Sequence, residues 1–150
     1  MTATATQAKS STTPIDVARS FFATYNAHDV ERMVAACSED AELRYVPMGS
    51  QGRGKARELG KSIWSGLIDA FPDLAVTVES IFGDERNVAA EVVIGGTQQK
   101  DFLQIRSQGR HYDLPHAFLL QTNDRNLITR ITCYWDNASF YLQLGKTTLP

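Results

Sequence analysis

The order of its apolar patterns constrains the fold of this chain more than any other feature. Three segments with apolar residues at helical spacing lie in the first half of the chain, and apart from a short one at 43–46 the segments with strand spacing follow them. Because helices and strands do not alternate, the order predicts an α+β fold rather than a doubly wound parallel sheet. Helices on one face of a curved, mostly antiparallel sheet would enclose a cone with a hollow end. The predicted helices cover 14–26, 29–37 and 55–70, and the predicted strands cover 43–46, 73–82, 88–94, 111–120 and 128–135. A short C-terminal helix is predicted after the last strand, where Phe140, Tyr141 and Leu144 recur at helical spacing until Gly145.

Residues 1–13 differ from the rest of the chain because they are small and polar and include no acidic residue. Thr13 and Pro14 form a helix-start signal, a hydroxyl that can cap followed by proline at the first helical position. No linker divides the residues that follow, and 150 residues suffice for one hydrophobic core. We therefore expect a disordered tail over 1–13 and a single domain over 14–150.

Charge and cysteine content exclude several function classes. The net charge is -2 and the basic residues are scattered, so neither nucleic acid nor an anionic membrane is expected as a partner. No apolar run approaches the ~20 residues that span a bilayer, and the N-terminus lacks the apolar segment of a signal peptide. Cys37 and Cys133 fit neither a metal site nor a disulfide framework, which favours buried thiols in a reducing, cytoplasmic compartment.

Two ionisable side chains occupy positions where an apolar residue would be expected. His116 lies on a predicted strand face with four apolar or aromatic neighbours, Tyr112, Leu114, Phe118 and Leu120. Asp136 directly follows the aromatic end of the last predicted strand. An apolar wall would raise the carboxyl pKa and lower the imidazole pKa, which suits acid/base catalysis near neutral pH. The alternatives are a core histidine with a satisfied hydrogen bond and an aspartate that caps the terminal helix.

Aromatic and amide side chains provide further candidates for a ligand pocket, namely Tyr25, Asn26, Tyr45, Trp64 and Tyr134. The alternative is ordinary core packing for the aromatic residues and a C-terminal helix cap for Asn26. Histidines and acidic residues show no metal-ligand spacing, and no nucleophile-elbow motif is present, so we expect no metal centre and no serine nucleophile. Acid/base chemistry by an aspartate and a histidine remains.

Four motifs resemble the SnoaL-like polyketide cyclases, within the nuclear-transport-factor-2-like superfamily that includes ketosteroid isomerase. They are YNAHDVERM at 25–33, FPDL at 71–74, GGT at 95–97 and YWDNASFYLQLG at 134–145. The resemblance covers the chain from about Val17 onward. It implies a cone-shaped α+β barrel that is often a homodimer through its outer sheet face, where small residues would lie at Ala75, Thr77, Ala89 and Val93.

The resemblance also implies roles for individual residues. In SnoaL-like cyclases an aspartate of the last strand acts as acid and base in an intramolecular aldol closure, without metal or organic cofactor. Asp136 falls on that position, and His116 falls on the position of a pocket histidine that assists it. These cyclases usually carry GTHxG at the pocket, but Gln98 replaces the histidine and Lys100 the second glycine. We therefore expect Gln98 among the residues that contact the substrate.

Three functional hypotheses follow. The first is a cofactor-free isomerase or cyclase, in which Asp136 moves a proton next to a carbonyl of an apolar, oxygenated small molecule and His116 assists. The second is a binding or assembly module without chemistry, which the residues at 98 and 100 favour. The third is an epoxide hydrolase in which Arg130 pairs with Asp136. If Asp136 points to solvent as a helix cap, the binding module is favoured.

Overall fold

The computed structural model describes residues 12–148, so the predicted tail lies outside the described residues apart from Thr12 and Thr13. The helices in this part of the chain are α1 (Pro14–Asn26), α2 (Val30–Ala35), α3 (Lys61–Ala70) and α4 (Asn137–Gln143). A capping box starts α1, since the Thr13 hydroxyl accepts from the Asp16 N–H and the Asp16 carboxylate accepts from the Thr13 N–H. Within residues 12–148, no helix combines the length and apolar character needed to cross a bilayer.

Six strands form one curved sheet: β1 (Cys37–Tyr45), β2 (Arg53–Lys55), β3 (Ala75–Gly83), β4 (Asn87–Thr97), β5 (His111–Thr122) and β6 (Ile128–Trp135). Their order across the sheet is β2-β1-β6-β5-β4-β3. The β1–β6 pair is parallel and the other neighbouring strands of the described sheet are antiparallel. This arrangement confirms the predicted α+β cone with N-terminal helices and a short C-terminal helix.

Element boundaries differ from the prediction in the first half of the chain. The second helix ends at Ala35, and Cys37 starts β1 instead of extending the helical stripe, because pairing with β6 overrides the local spacing. The region predicted as a loop over 49–54 instead contains the end of a 3-10 helical stretch, Val46–Gly52, and the first two residues of β2. The predicted third helix starts with a π-helical turn at Ala56–Gly60 before α3 begins.

The inner face of the sheet is apolar, as strand alternation predicts. In β5 every second side chain from Tyr112 to Leu120 turns inward, and all of these except His116 are fully buried. Aromatic residues of α1 pack on this face, with the rings of Phe22 and Phe118 edge to face at a centroid distance of 5.1 Å. The five residues predicted to share one strand face therefore do share it.

Candidate functional site

A cavity of about 550 Å³ lies between the inner sheet face, helices α1, α3 and α4, and the segment that joins β4 to β5. Its volume is in the range of small-molecule sites, ~300–1,000 Å³. Aliphatic and aromatic side chains form most of the wall, among them Ile63, Leu67, Ile94, Leu114, Phe118 and Phe140. The cavity is therefore suited to a predominantly apolar molecule.

The polar groups on the wall are uncharged. Among the described residues, no Asp, Glu, Lys or Arg side chain lines this cavity. Its polar groups come from four tyrosines, one histidine and a few amide and hydroxyl side chains, with the tyrosines at Tyr25, Tyr45, Tyr112 and Tyr141. Because an unpaired charge is costly to bury, a wall without a counter-ion disfavours a charged ligand.

His116 projects from β5 into the cavity wall between Phe118 and Trp135. Its Nδ1 lies 2.8 Å from the carbonyl oxygen of Leu114, and a carbonyl can only accept, so Nδ1 carries the proton. Burial lowers the pKa of His116 from 6.5 to about 4, although the hydrogen bond to Leu114 opposes this change. At neutral pH the ring is uncharged, and Nε2 presents a lone pair.

Tyr45 is held in the wall by a buried hydrogen bond from Trp64. The Trp64 Nε1–H donates to the Tyr45 hydroxyl oxygen at 2.8 Å, and Trp64 lies behind the wall rather than on it. Burial raises the pKa of Tyr45, and hydrogen bonds from Trp64 and Tyr25 oppose that rise. Burial is also the main cause of the raised pKa of Tyr25. Both phenols are therefore protonated at neutral pH.

Asp136 lies outside the cavity, which corrects its predicted place beside His116. It is exposed and forms the N-cap of α4, where Oδ1 accepts a hydrogen bond from the Ser139 N–H at 3.1 Å. The capping aspartate that the sequence left as an alternative is what the structure shows. An acid/base role for Asp136 thus has no support in the geometry of the site.

Replacing Asp136 by alanine should lower the free energy of unfolding by about 1 kcal/mol, because α4 loses its cap. The matched variant Asp136→Asn keeps a capping oxygen and should remain close to wild type. Urea denaturation of both variants measures the difference. Ligand affinity should be unchanged in both, since neither alters the cavity wall. Loss of binding or turnover in Asp136→Asn at unchanged stability would restore the catalytic role.

Two other predicted pocket residues face away from the cavity. The Asn26 Oδ1 accepts a hydrogen bond from the Val76 N–H at 2.8 Å and so fastens the end of α1 to β3. Tyr134 is 44% exposed on the outer face of the sheet. Side chains alternate along a strand, and Cys133 and Trp135 take the inner positions of β6. Trp135, not Tyr134, therefore lines the cavity.

Gln98 lies beneath the segment that joins β4 to β5 and does not line the cavity, contrary to its predicted place. Its side chain is fully buried, and Nε2 donates to the carbonyl oxygens of Lys100 at 3.0 Å and Ile105 at 2.9 Å. Within the described residues its Oε1 has no hydrogen-bond partner. The amide therefore supports the segment from inside, and it does so at the cost of one unpaired acceptor.

Gln98→Met should lower the free energy of unfolding by about 1 kcal/mol, since it removes both donated hydrogen bonds but also removes the unpaired oxygen. The Ile105 carbonyl keeps its bond from the Phe102 N–H, so the Lys100 carbonyl loses most. Hydrogen exchange at the amides of 102–107 should rise above that at β5 amides. Unchanged exchange there would show that Gln98 does not hold the segment.

Several cavity residues were not identified from the sequence. Phe102, Leu103 and Gln104 belong to the segment over 97–108 and line the cavity. Leu103 is 59% exposed and has a φ of 54°, an unusual conformation for a leucine. The available signal was the apolar insert in an otherwise polar segment. The structure assigns that insert to the cavity wall.

Metal-dependent and epoxide-hydrolysing sites find no basis in residues 12–148. No group of three His, Cys, Asp or Glu side chains there is close enough to hold a metal ion. Arg130 is exposed on β6, in register with Glu42 and Gln121. Since neither an arginine nor a carboxylate among the described residues lines the cavity, the predicted pair of Arg130 and Asp136 does not form there.

Comparison with known proteins gives a family and a set of similar folds. The profile of the SnoaL-like domain matches residues 18–131. IdmH, a candidate polyketide cyclase from Streptomyces antibioticus, is 24% identical with a TM-score of 0.75 over 88% of this chain and 98% of its own. A candidate SnoaL-like polyketide cyclase from Jannaschia sp. CCS1 is 16% identical with a TM-score of 0.77 over 91% and 93%.

AclR, a candidate hydroxylase from Streptomyces galilaeus, is 22% identical with a TM-score of 0.74 over 89% of this chain and 84% of its own. No curated protein sequence matches the chain. At these identities the structural matches establish the shared fold.

Proposed function

The chain belongs to the SnoaL-like domain family, and on that premise we propose that it binds a neutral, mainly apolar small molecule that carries oxygen atoms. The observation that supports this most directly is the uncharged aromatic wall of the 550 Å³ cavity. Tyrosine hydroxyls and one imidazole are suited to hydroxyl and carbonyl groups. Candidate polyketide cyclases recur among the similar structures, and aromatic polyketides have this chemistry.

Three naphthalenes of similar size test this function. We expect 2-naphthol and 2-acetonaphthone to bind, measured by calorimetry at pH 7.5. The carboxylate 2-naphthoate should bind at least about 10-fold more weakly, because the cavity offers it no counter-ion. Binding of naphthoate as tight as that of the neutral compounds would contradict the proposal, as would the failure of all neutral compounds to bind.

Two serines of α3 provide a matched pair of variants that locate the site. Ser62 and Ser65 are both exposed, and only Ser62 lines the cavity. Ser62→Trp should weaken 2-naphthol binding by about 10-fold or more because the indole narrows the cavity. Ser65→Trp should bind like wild type. Equal effects of the two variants would place the ligand elsewhere.

A second candidate function is proton transfer on the bound ligand, which the unpaired Nε2 of His116 favours. Nε2 would take a proton from a carbon next to a carbonyl, and the electron pair of the broken C–H bond would move into the carbonyl as an enolate. The proton would then return to the same or another carbon. A base with a pKa of about 4 is close to that of the aspartate base in ketosteroid isomerase, about 4.6, a worked example of such chemistry.

Hydrogen–deuterium exchange at the carbon acid of 2-tetralone tests this step without knowledge of the natural substrate. Proton NMR in D₂O should show exchange that the protein accelerates and that His116→Leu abolishes. Asp136→Asn should keep the wild-type rate, because that residue caps α4. Equal rates in wild type and His116→Leu would leave the binding function and remove the catalytic one.

We further propose that two copies pair through the outer sheet face. Phe82 and Leu119 are 61% and 46% exposed, and Ala89 lies between them in strand register. Tyr134, 44% exposed, lies in the next row beside Ala117, and the exposed Glu91 is the other neighbour of Ala117 in that row. Exposed apolar groups of this extent mark interaction surfaces. A symmetric dimer would cover them.

Sedimentation velocity at micromolar concentration tests the dimer. Leu119→Asp should shift the protein toward monomer, because it places a charge within the apolar face. Ser65→Asp is the control, since Ser65 is exposed on α3 and not on the outer face of the sheet. A wild-type monomer, or a dimer insensitive to Leu119→Asp, would contradict this interface.

A further inference from the structure

We propose that Tyr45 and His116 form a fixed donor–acceptor pair that selects ligands carrying both a carbonyl-type acceptor and a hydroxyl-type donor, that is, hydroxy-carbonyl compounds. This inference rests on the proposed binding function and narrows it to a ligand class. Most polar groups of the cavity are hydroxyls, which can donate or accept as a ligand requires. These two groups differ because the protein has already assigned their roles.

His116 can only accept in its neutral form. The bond to the Leu114 carbonyl uses the Nδ1 proton, so Nε2 has none to offer. Among the described residues no donor is bound to Nε2, although the ring is held between Phe118 and Trp135. A ligand that satisfies this nitrogen must bring an O–H or N–H group. A ketone alone leaves it unpaired.

Tyr45 is left to donate. An indole N–H has no acceptor lone pair, so the bond from Trp64 requires the Tyr45 oxygen to accept. The proton of Tyr45 has no acceptor in a hydrogen bond among the described residues. A carbonyl oxygen in the cavity would supply that acceptor.

The two groups lie on one wall of the cavity. The ring of Tyr45 is edge-on to Phe118 at 6.3 Å and to Trp135 at 5.5 Å. The imidazole of His116 lies 6.0 Å from Phe118 and 5.3 Å from Trp135. Because both polar groups share these two neighbours, one small molecule can reach both. Its hydroxyl and carbonyl would lie on the same side, against the aromatic pair.

Single-function probes separate the two roles. The probes are 2-naphthol, 2-acetonaphthone and 2-ethylnaphthalene, and the variants are Tyr45→Phe and His116→Phe. We expect Tyr45→Phe to weaken 2-acetonaphthone about 3- to 10-fold and His116→Phe to weaken 2-naphthol by a similar factor, as for one hydrogen bond. Each variant should bind the other probe, and the hydrocarbon, as wild type does.

A measurement on wild-type protein avoids dependence on the folding of the variants. The ¹⁵N shift of His116 Nε2 reports hydrogen bonding at that nitrogen, and it should move on addition of 2-naphthol but not of 2-acetonaphthone. Equal effects of both variants on both probes, or a shift caused equally by both probes, would overturn this inference while the binding function stands. Absence of binding by every probe would overturn the binding function, and this inference with it.

Discussion

Trp64→Ala is expected to lower the free energy of unfolding by about 3–5 kcal/mol, the range for a large aromatic residue removed from a core. Trp64 has no exposed surface, and its ring packs edge to face with Phe21 at a centroid distance of 5.6 Å. Gly60 lies so close that a β-carbon there would be 2.8 Å from the indole Cη2. The space left by alanine would therefore be bounded by a residue that cannot fill it.

Urea denaturation with an unchanged m-value is the measurement for this prediction. A loss below about 1.5 kcal/mol would mean that neighbouring side chains move into the space left by the indole. A core whose side chains stay in place is expected to lose more. Ligand binding should fall as well, because the Tyr45 hydroxyl loses the N–H that orients it.

A double-mutant cycle separates packing from hydrogen bonding at this position. Trp64→Phe keeps an aromatic ring but leaves the Tyr45 hydroxyl without its donor, and Tyr45→Phe leaves the Trp64 N–H without its acceptor. Each single change therefore includes the cost of an unpaired polar group, ~1–3 kcal/mol. The double variant removes both partners. It should be more stable than the sum of the single losses predicts, by about 1 kcal/mol.

The second large effect is on pH dependence, through His116. Its pKa is about 4 in the folded protein and 6.5 as an unperturbed imidazole, with burial as the cause. Between these values the unfolded chain takes up a proton that the folded protein does not, so protonation favours unfolding. The contribution of His116 to the free energy of unfolding is fully present above pH 6.5. It decreases as the pH drops toward 4 and does not decrease further below pH 4. The total loss is about 3 kcal/mol.

The difference between wild type and His116→Leu isolates this contribution. Urea denaturation at intervals from pH 7.5 to pH 4 should give a falling stability for wild type and a flatter line for the leucine variant. Three carboxylates, Asp16, Asp73 and Asp84, have pKa values lowered by hydrogen bonds from backbone N–H groups. Their contributions to stability are lost only below about pH 4, so these losses fall outside the range from pH 6.5 to pH 4 in which His116 acts. Parallel curves for the two proteins would contradict the buried, neutral imidazole.

Strand periodicity explains why β5 could be read from sequence. Tyr112, Leu114, Phe118 and Leu120 recur at every second position, and alternate residues must share a face, so the spacing predicts that His116 also lies on the inner face. The same rule applied to β6 would have separated Tyr134 from Trp135. Both are aromatic, however, and residue type gives no indication of which one faces inward. The phase of the strand, set by Ile131 and Cys133, decides the question.

The positions of Asp136 and Gln98 could not be resolved by the same reasoning. A carboxylate after a strand and before a helix suits both a cap and a pocket, and the difference is the direction in which β6 ends. Gln98 bonds to carbonyls at residues 100 and 105, and that arrangement exists only once the segment has folded back on itself. Such tertiary pairings leave no periodic trace in a single sequence.

The place of β6 in the sheet has a consequence for synthesis of the chain. It is the last strand to leave the ribosome, yet it lies between β1 and β5 and joins the two halves of the sheet. Until it emerges, the edges of β1 and β5 that it will occupy are unpaired, and open strand edges readily pair with other chains. Its pairing with β1 also joins residues far apart in the sequence, from Cys37 with Ile128 to Tyr45 with Cys133, and contacts between such distant residues form slowly. The sheet therefore cannot be completed until β6 has left the ribosome, and before that point the nascent chain is most exposed to aggregation.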